Sequence, residues 1–333
     1  MPSRRRFLRN TIPFACSVAA LARGQAAIAA PAIRPERASL KLGIPVDAVS
    51  FLPVYVAAAR TWSDLGLDVT VLSFRGGSEV KQALAGDSVD LVFDSPTGVI
   101  SMIAANQPVI GIYSGCYQTD FSWLAKPAIK TWNDLKGNTL GISTFGTGTD
   151  SLTRYVLKKH NLDPERDVQL VQAGGSPSAY QALKSGRLAA AVLAAPFKWQ
   201  AQDDGFTLLG TQAGEVSAQW PEHMLYAKTK FIDENPNAIR ALLRGYVAAI
   251  RLARANRDLA VSIMTDRLKY APAWAVRAYE EAMPGFDERG GLPERSMQVF
   301  WKITIQEGYV TAPWPESRFL DRRFINDFRS WAP

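Results

Sequence analysis

The sequence predicts an α/β fold made of two lobes built on one plan. From Ser39 onward, short β-like runs alternate with helical patterns, which indicates βαβ units and a largely parallel sheet covered on both faces. The alternation occurs in two series, the second beginning near Thr131, and 333 residues are too many for one ordinary core. Each series also contains a Gly-Gly-Ser run, at Gly76–Ser78 and again at Gly174–Ser176.

The first series consists of four predicted strands and three predicted helices. Proline opens two of the helices, at Pro53 and Pro96, where a first-turn residue needs no backbone N–H partner. The predicted strands are Leu40–Ile44, Asp68–Ser73, Val89–Asp94 and Val109–Ser114, and the predicted helices are Pro53–Trp62, Ser78–Ala85 and Pro96–Ala105.

The second series repeats this alternation, and beyond about residue 222 helices dominate. Its predicted strands are Thr139–Ser143, Val168–Gln172, Ala189–Leu193 and Phe206–Leu209, and its helices are Thr149–His160, Pro177–Ser185 and one beginning at Pro196. The last part is predicted to hold a strand at Met224–Lys228 and helices at Asn237–Asn256, Asp258–Leu268, Ala273–Met283 and Pro293–Glu307.

The positive charge of the chain belongs mostly to its N-terminus. The formal net charge is +7, but the first 29 residues contain five arginines and no acidic residue. The remainder has 33 Lys and Arg against 31 Asp and Glu, a net charge of +2. A near-neutral body does not indicate binding to nucleic acid or another polyanion.

The N-terminal segment has the pattern of an export signal. Ser3–Arg9, which reads Ser-Arg-Arg-Arg-Phe-Leu-Arg, resembles the twin-arginine motif. The apolar stretch Ile12–Ala22 is shorter than the roughly 20 residues that span a bilayer, and Ala27–Ala29 offers a small-x-small cleavage site. We therefore predict that residues 1–29 are a twin-arginine signal peptide and that the protein functions in the periplasm.

The few cysteines and histidines give no sign of a metal site, a cofactor or a catalytic centre. Cys16 lies in the predicted leader, which leaves Cys116 as the one thiol of the mature chain. The two histidines, His160 and His223, form no cluster with cysteines, and no nucleophile paired with a base can be named. We therefore predict no metal, no cofactor and no catalytic residue.

The loops that follow the predicted strands are the expected place for a ligand. Ligands of open α/β sheets bind beyond the carboxyl ends of the strands, where helix N-termini offer N–H groups. The loop Ser143–Asp150 is the most informative, because its glycines allow close approach and its threonines offer hydroxyls. It predicts a site for a carboxylate, sulfonate, phosphate or polar heterocycle; alternatively, Thr149 or Asp150 caps the following helix. The predicted binding residues of this loop are Thr144, Phe145, Gly146, Thr147 and Gly148.

Asp94, at the end of the third predicted strand, indicates a second kind of contact. If its carboxylate faces the cleft, it would repel an anion and attract an ammonium or amidine group; alternatively, it caps the helix near Pro96. A zwitterion or an aminopyrimidine would satisfy both Asp94 and the threonine loop. The other predicted ligand-binding residues are Ser50, Phe51, Gly76, Gly77, Ser95, Pro196, Phe197 and Trp220.

An ordered series of short motifs resembles the substrate-binding proteins of bacterial ABC importers. The most similar group is the nitrate, sulfonate, taurine and thiamine-pyrimidine-precursor family. The resemblance covers nearly all of residues 39–330, and its specificity comes from the order of the motifs. The motifs are Ser50–Ala57, Gly66–Val69, Gly76–Ser78, Leu84–Asp87, Thr131–Gly137 and Gly141–Gly148.

The resemblance implies a type II periplasmic-binding-protein fold, with two α/β lobes, a hinge and a ligand cleft between them. Lobe one would hold residues 39–127 and 224–333, and lobe two residues 128–223. The implied protein is a monomer that captures a small polar molecule, whether anionic, zwitterionic or heterocyclic, for an ABC permease in the inner membrane. Examples are a sulfonate, a nitrate-type anion or a pyrimidine precursor. The family's ligand contacts would fall on Phe51, Gly77, Ser95, Thr144, Phe145, Thr147 and Gly148.

Two other functions use the same fold. A sensory module would report ligand binding to a membrane receptor, and sequence does not separate it from a transport protein. The pyrimidine-precursor synthases are enzymes that resemble the binding proteins, but they rely on histidine and a cysteine-rich segment that this sequence lacks.

Overall fold

Two five-stranded sheets organise the protein in the computed structural model, which describes residues 34–117 and 120–333. The predicted leader, residues 1–29, lies outside the described residues. The strands are β1 Ser39–Ile44, β2 Asp68–Ser73, β3 Leu91–Asp94, β4 Val109–Cys116, β5 Ser122–Ala125, β6 Thr139–Ile142, β7 Gln169–Gln172, β8 Ala190–Leu193, β9 Thr207–Thr211 and β10 His223–Lys228.

Both sheets share one arrangement of strands, except that the reversed strand is the last of sheet one along the chain and the first of sheet two. Sheet one is β2-β1-β3-β10-β4 and sheet two is β7-β6-β8-β5-β9. In each sheet the first three strands in this order are parallel to one another. The fourth strand lies between the third and the fifth and is antiparallel to both. The Gly-Gly-Ser runs follow β2 and β7, which occupy equivalent positions, so the repeated motif marks a repeated structure. The predicted α/β class with two lobes is confirmed.

Helices cover both sheets, and the long ones follow β10, as the change of pattern beyond residue 222 predicts. Among the described residues, no helix is both long and apolar enough to cross a membrane. The helices are α1 Leu52–Val56, α2 Gly77–Ala85, α3 Pro96–Ala104, α4 Gly148–Lys159, α5 Ser176–Lys184, α6 Phe197–Asp203, α7 Gln212–Glu215, α8 Thr229–Glu234, α9 Pro236–Ala255, α10 Arg257–Leu268, α11 Pro272–Ala282, α12 Glu294–Gln306, α13 Arg323–Asn326 and α14 Phe328–Trp331.

The helix predicted at Pro53–Trp62 changes its winding halfway. It begins as α1 and continues as a π-helical segment, Ala57–Thr61. The indole Nε1 of Trp62 donates a hydrogen bond of 2.9 Å to the carbonyl of Leu242 on α9. A Cβ atom at Gly245 of the same helix would lie 2.3 Å from the Trp62 ring, so the indole packs directly on the α9 backbone. The wider turn lies immediately before this contact, which no local sequence pattern predicts.

Strand β5 corrects the predicted boundary between the lobes. Residues Ser122–Ala125 were assigned to lobe one, but they pair with β8 and β9 in sheet two. The chain therefore crosses to sheet two before Ser122 rather than at residue 127. All four residues of β5 are buried, so the strand shows no alternation of polar and apolar residues by which it could be recognised. The other predicted lobe boundaries remain predictions.

Gly290 fits against the aromatic core of sheet one. It adopts a φ of +75°, and a Cβ atom there would lie 2.1 Å from the ring of the buried Tyr113. We expect Gly290→Ala to lower the free energy of unfolding by about 3 kcal/mol, from overpacking and left-handed strain together. Gly308 is the matched control, since its φ is +74° but a Cβ atom there meets nothing within 4 Å. Urea unfolding that showed equal losses for both alanine variants would contradict the packing argument.

Candidate ligand-binding site

A cavity of about 580 Å³ lies where the strands of the two sheets end. Most of its lining residues lie at or just beyond the carboxyl ends of six parallel strands, three from each sheet: β1, β2 and β3, and β6, β7 and β8. This is the position at which open α/β sheets bind ligands. The volume falls in the range of small-molecule sites.

Most of the predicted binding residues line this cavity. Those that do are Ser50, Phe51, Gly76, Gly77, Asp94, Ser95, Thr147, Gly148, Phe197 and Trp220. Those that the structure places outside the lining are Thr144, Phe145, Gly146 and Pro196.

Part of the loop Ser143–Asp150 points away from the cavity. Gly146 has a φ of +72°, and its N–H donates to the Asp150 carboxylate at 2.8 Å. The N–H of Phe145 donates to Oε1 of Gln172 at 3.0 Å. These bonds leave the Phe145 ring 44% exposed at the surface. The structure therefore places this ring outside the cavity lining, and its predicted contact with a ligand stays a prediction.

Three hydroxyl groups at the start of α4 do face the cavity, and we call Ser143, Thr147 and Thr149 the hydroxyl cluster. Oγ of Ser143 lies 3.0 Å from Oγ1 of Thr147 and 2.6 Å from Oγ1 of Thr149. The Thr147 hydroxyl also donates to the carbonyl of Thr144 at 2.7 Å. Thr147 is the residue before the first helical turn, yet its side chain makes no capping bond. The backbone N–H groups of the first turn of α4 therefore gain no partner from this side chain.

Loops of the two sheets touch beside the hydroxyl cluster. A Cβ atom at Gly76 would lie 2.9 Å from Oγ1 of Thr144, and one at Gly148 would lie 3.6 Å from Oγ of Ser95. Glycine at position 76, where φ is +155°, therefore permits a close approach that a side chain would obstruct. These contacts close one side of the cavity.

Three buried carboxyl groups also line the cavity. Asp94, Asp120 and Glu222 are 7%, 3% and 7% exposed. Asp120 has a counter-charge, because its Oδ1 accepts a hydrogen bond of 2.9 Å from Nζ of Lys198. Among the described residues, neither Asp94 nor Glu222 forms an ion pair. The cavity therefore combines a hydroxyl-rich side with an acidic side.

Asp94 lies between the first turns of α2 and α3. A Cβ atom at Gly98 would lie 2.7 Å from Oδ2 of Asp94, and one at Gly77 would lie 3.2 Å from it, so both glycines leave room for the carboxylate. The hydroxyl of Tyr226 donates to the same oxygen at 3.4 Å. Burial raises the pKa of Asp94, while the Ser95 N–H, the charge of Lys81 and the Tyr226 hydroxyl oppose that rise. The residue thus packs against the first turns of both helices and lines the cavity, and its contact with a ligand stays a prediction.

Glu222 is the carboxyl group with the most altered acidity. Burial raises its pKa to about 8; the charges of Asp120 and Asp94 add to the rise, and the Gln212 side chain opposes it. At neutral pH the Glu222 carboxyl group is therefore mostly protonated.

An aromatic pair, which we call the Phe51–His223 platform, lies at the same site. The two rings stack with centroids 4.1 Å apart at an angle of 26°. Burial lowers the pKa of His223 to about 3, so the imidazole is neutral, and its Nδ1 has no hydrogen-bond partner among the residues that the structure describes. Trp220, also buried, adds a third aromatic ring to the lining.

Sequence reasoning missed Asp120, Glu222 and His223. Asp120 and Glu222 lie where the chain crosses between the two sheets, and neither follows a parallel strand. His223 had been set aside because two histidines cannot form a metal cluster. A usable signal was present: Trp220–His223 groups two rings and a carboxyl group immediately before the core of β10.

Comparison with known sequences gives one family and two relatives. Residues 48–260 match the family described as NMT1/THI5 like. YtlA of Bacillus subtilis (strain 168), named as a binding protein, is 27% identical over 202 residues, which cover 59% of this chain and 60% of YtlA. The nitrate/nitrite binding protein NrtA of Nostoc sp. (strain PCC 7120) is 30% identical over 186 residues, 54% of this chain and 41% of NrtA. The matched segment thus spans only part of each relative.

Solved structures resemble the whole two-sheet body. A protein of Bordetella bronchiseptica RB50 has a TM-score of 0.78 at 23% identity, covering 89% of this chain and 98% of the other. The periplasmic aliphatic sulphonate binding protein SsuA of Escherichia coli has a TM-score of 0.68 at 16% identity, covering 86% and 92%. These likenesses confirm the two-lobed periplasmic-binding-protein fold that the sequence resemblance implied.

Proposed function

The chain belongs to the NMT1/THI5-like family, and on that premise we propose that it is a solute-binding protein which captures a small polar molecule and delivers it to an ABC importer. One observation carries the proposal: a cavity of about 580 Å³ is lined by the carboxyl ends of parallel strands from both sheets. A ligand held there contacts both lobes at once, so its binding favours the closed arrangement of the hinge.

The proposal extends to location and partners. The named relatives are binding proteins, and SsuA of Escherichia coli is periplasmic, which supports a periplasmic protein that binds its solute without converting it. We propose export by the twin-arginine route, a monomeric state, and an inner-membrane permease as the partner that receives the solute.

The test begins with the solute itself. The full chain, purified under gentle conditions, is analysed by native mass spectrometry for a co-purified small molecule, and candidate sulfonates, carboxylates, amino acids and pyrimidines are screened by thermal shift. A solute at one hundred times its Kd should stabilise the folded state by about 2.7 kcal/mol. Chemical conversion of the bound solute, or failure of every solute to stabilise the protein, would contradict the proposal.

Thr147→Ala tests where the solute binds. The variant removes a hydroxyl of the cavity lining, and we expect solute affinity to fall about tenfold, the value of one hydrogen bond. Phe145→Ala is the matched control from the same loop, because its exposed ring lies outside the lining, and we expect unchanged affinity. Isothermal titration of both variants with the identified solute measures the difference. A larger loss for Phe145→Ala than for Thr147→Ala would move the site away from this cavity.

A further inference from the structure

Resting on this proposed function, we infer that the solute carries a basic nitrogen group, an amine or an amidine, which binds between Asp94 and Glu222. Nitrate and sulfonates that lack such a group are then poor ligands of this protein. Within the part of the chain that the structure describes, the cavity has two buried carboxyl groups without a cation in contact, and they lie close together among other acidic groups.

The other charged side chains of the lining are already paired. Asp47 accepts a hydrogen bond of 3.0 Å from Arg267, and Asp120 pairs with Lys198. Arg75 points to solvent, with a side chain 90% exposed, and pairs with Glu79. What remains for a ligand to meet is the pair of carboxyl groups without a cation in contact, Asp94 and Glu222.

These two carboxyl groups are neighbours in the cavity lining. Strand β10 runs antiparallel to β3, with Met224 directly opposite Asp94, so these two residues share one face of sheet one. Glu222 lies immediately before β10, and the charge of Asp94 acts on its carboxyl group. Tyr226 lies on that face as well, and its hydroxyl reaches Asp94. A single nitrogen group with two or more N–H donors therefore has one acceptor at the end of β3 and another immediately before β10.

The groups that surround the two carboxyl groups decide which sign of charge a bound ligand group can carry. Asp94 faces Lys81 of α2, which is not in contact with it and donates instead to Ser101 at 3.2 Å. Glu222 faces two further carboxylates, Asp120 and Asp94, and the neutral Gln212. An anion entering here meets like charges, whereas a cation supplies the missing counter-charge and allows Glu222 to ionise.

The rest of the cavity suits the rest of such a molecule. The Phe51–His223 platform offers an apolar surface, and the hydroxyl cluster at the N-terminus of α4 offers donors to an oxygen-bearing end. A zwitterion that carries an amine therefore fits the cavity, whereas its analogue without the amine does not.

Two sets of matched probes test the inference on the full chain at pH 7. Benzamidine is compared with benzoate and benzamide, taurine with ethanesulfonate, and nitrate is added alone. We expect the amidine and the amine to bind, and the anionic analogues to bind on the order of a hundredfold more weakly. Binding of a cation should also release a proton from Glu222, which calorimetry in two buffers of different ionisation enthalpy detects.

Glu222→Gln supplies the residue-level test. We expect it to weaken benzamidine binding at least tenfold and to abolish the proton release. Glu307→Gln is the matched control: burial raises the pKa of Glu307 to about 7, yet Glu307 does not line the cavity. Asp94→Asn is the second variant, and thermal unfolding of each variant verifies that it is folded.

Two results of these probe and variant measurements would overturn the inference. One is binding of ethanesulfonate or nitrate as tight as that of the amine-bearing probes. The other is Glu222→Gln with unchanged benzamidine affinity and proton release. An anionic solute found in the cavity would overturn this inference and leave the proposed function intact. The absence of any bound solute, co-purified or added, would overturn both.

Discussion

Lys198→Met is expected to lower the free energy of unfolding by about 3 to 5 kcal/mol, because it removes the counter-charge of a buried carboxylate. Nζ of Lys198 donates to Oδ1 of Asp120 at 2.9 Å and to the Asp120 carbonyl at 3.0 Å, and it also contacts Glu281. Burial opposes the charge of Lys198, but the charges of Asp120 and Glu281 outweigh burial and raise its pKa. The lysine is therefore charged, and its loss leaves Asp120 alone in the interior.

Urea unfolding at pH 7 measures this effect, and two further variants identify its cause. Glu281→Gln should cost less than about 1 kcal/mol, since the Glu281 side chain is 38% exposed and its interaction with Lys198 is screened. Lys198→Met combined with Asp120→Asn should recover part of the loss, because no uncompensated charge remains. If the double variant were less stable than Lys198→Met alone, the uncompensated charge would not be the source of the loss.

Glu222→Gln is expected to remove a loss of stability that the wild-type protein suffers as the pH rises from about 4.5 to 8. The pKa of Glu222 is about 8 in the folded protein, against a usual value of 4.5. Between these values the unfolded chain has released the proton and the folded protein still holds it, so stability falls as the pH rises. The total cost is about 5 kcal/mol and is fully present well above pH 8.

Chemical unfolding of the solute-free protein at several pH values tests this prediction. The wild-type protein should lose stability toward pH 8, and Glu222→Gln should lose much less. The acid limb provides an internal control, because His223, with its pKa lowered to about 3, binds a proton more readily in the unfolded chain. Stability should therefore fall below about pH 6.5 in Glu222→Gln, whereas in the wild-type protein the opposite contribution of Glu222 offsets this fall down to about pH 4.5. Parallel profiles above pH 5 would show that Glu222 is ionised in the folded state.

The sequence locates those parts of the site that depend on local pattern. Gly77, Asp94 and Ser95 were predicted because each follows a recognisable strand, and the ends of parallel strands meet at one edge of a sheet. Phe145 was also predicted from such a loop, but a bond to Gln172, a residue of another strand, decides where that loop turns. The direction in which a loop turns depends on tertiary contacts, and no local sequence pattern predicts it.

The remaining differences have the same origin. Strand β5 is short and buried on both faces, so it lacks the alternation that identifies a half-buried strand. The π-helical segment after α1 lies immediately before Trp62, whose indole binds to Leu242 of α9. That residue is about 180 positions further along the chain, so the local sequence does not reveal the contact. Asp120 and Glu222 lie in crossing segments whose position is known only once both sheets are assembled.

Because β10 lies between β3 and β4, sheet one can be completed only after sheet two during synthesis. Sheet two is a continuous piece of chain, from β5 to β9, and can assemble as soon as it has left the ribosome. Sheet one cannot, because β10 fills the gap between β3 and β4 and is translated more than a hundred residues after them. Until then β3 and β4 present open edges that invite wrong pairing. The acidic side of the cavity is thus completed only when Glu222 and β10 have been translated, and a chain that stops before β10 would display a finished lobe beside an unfinished one.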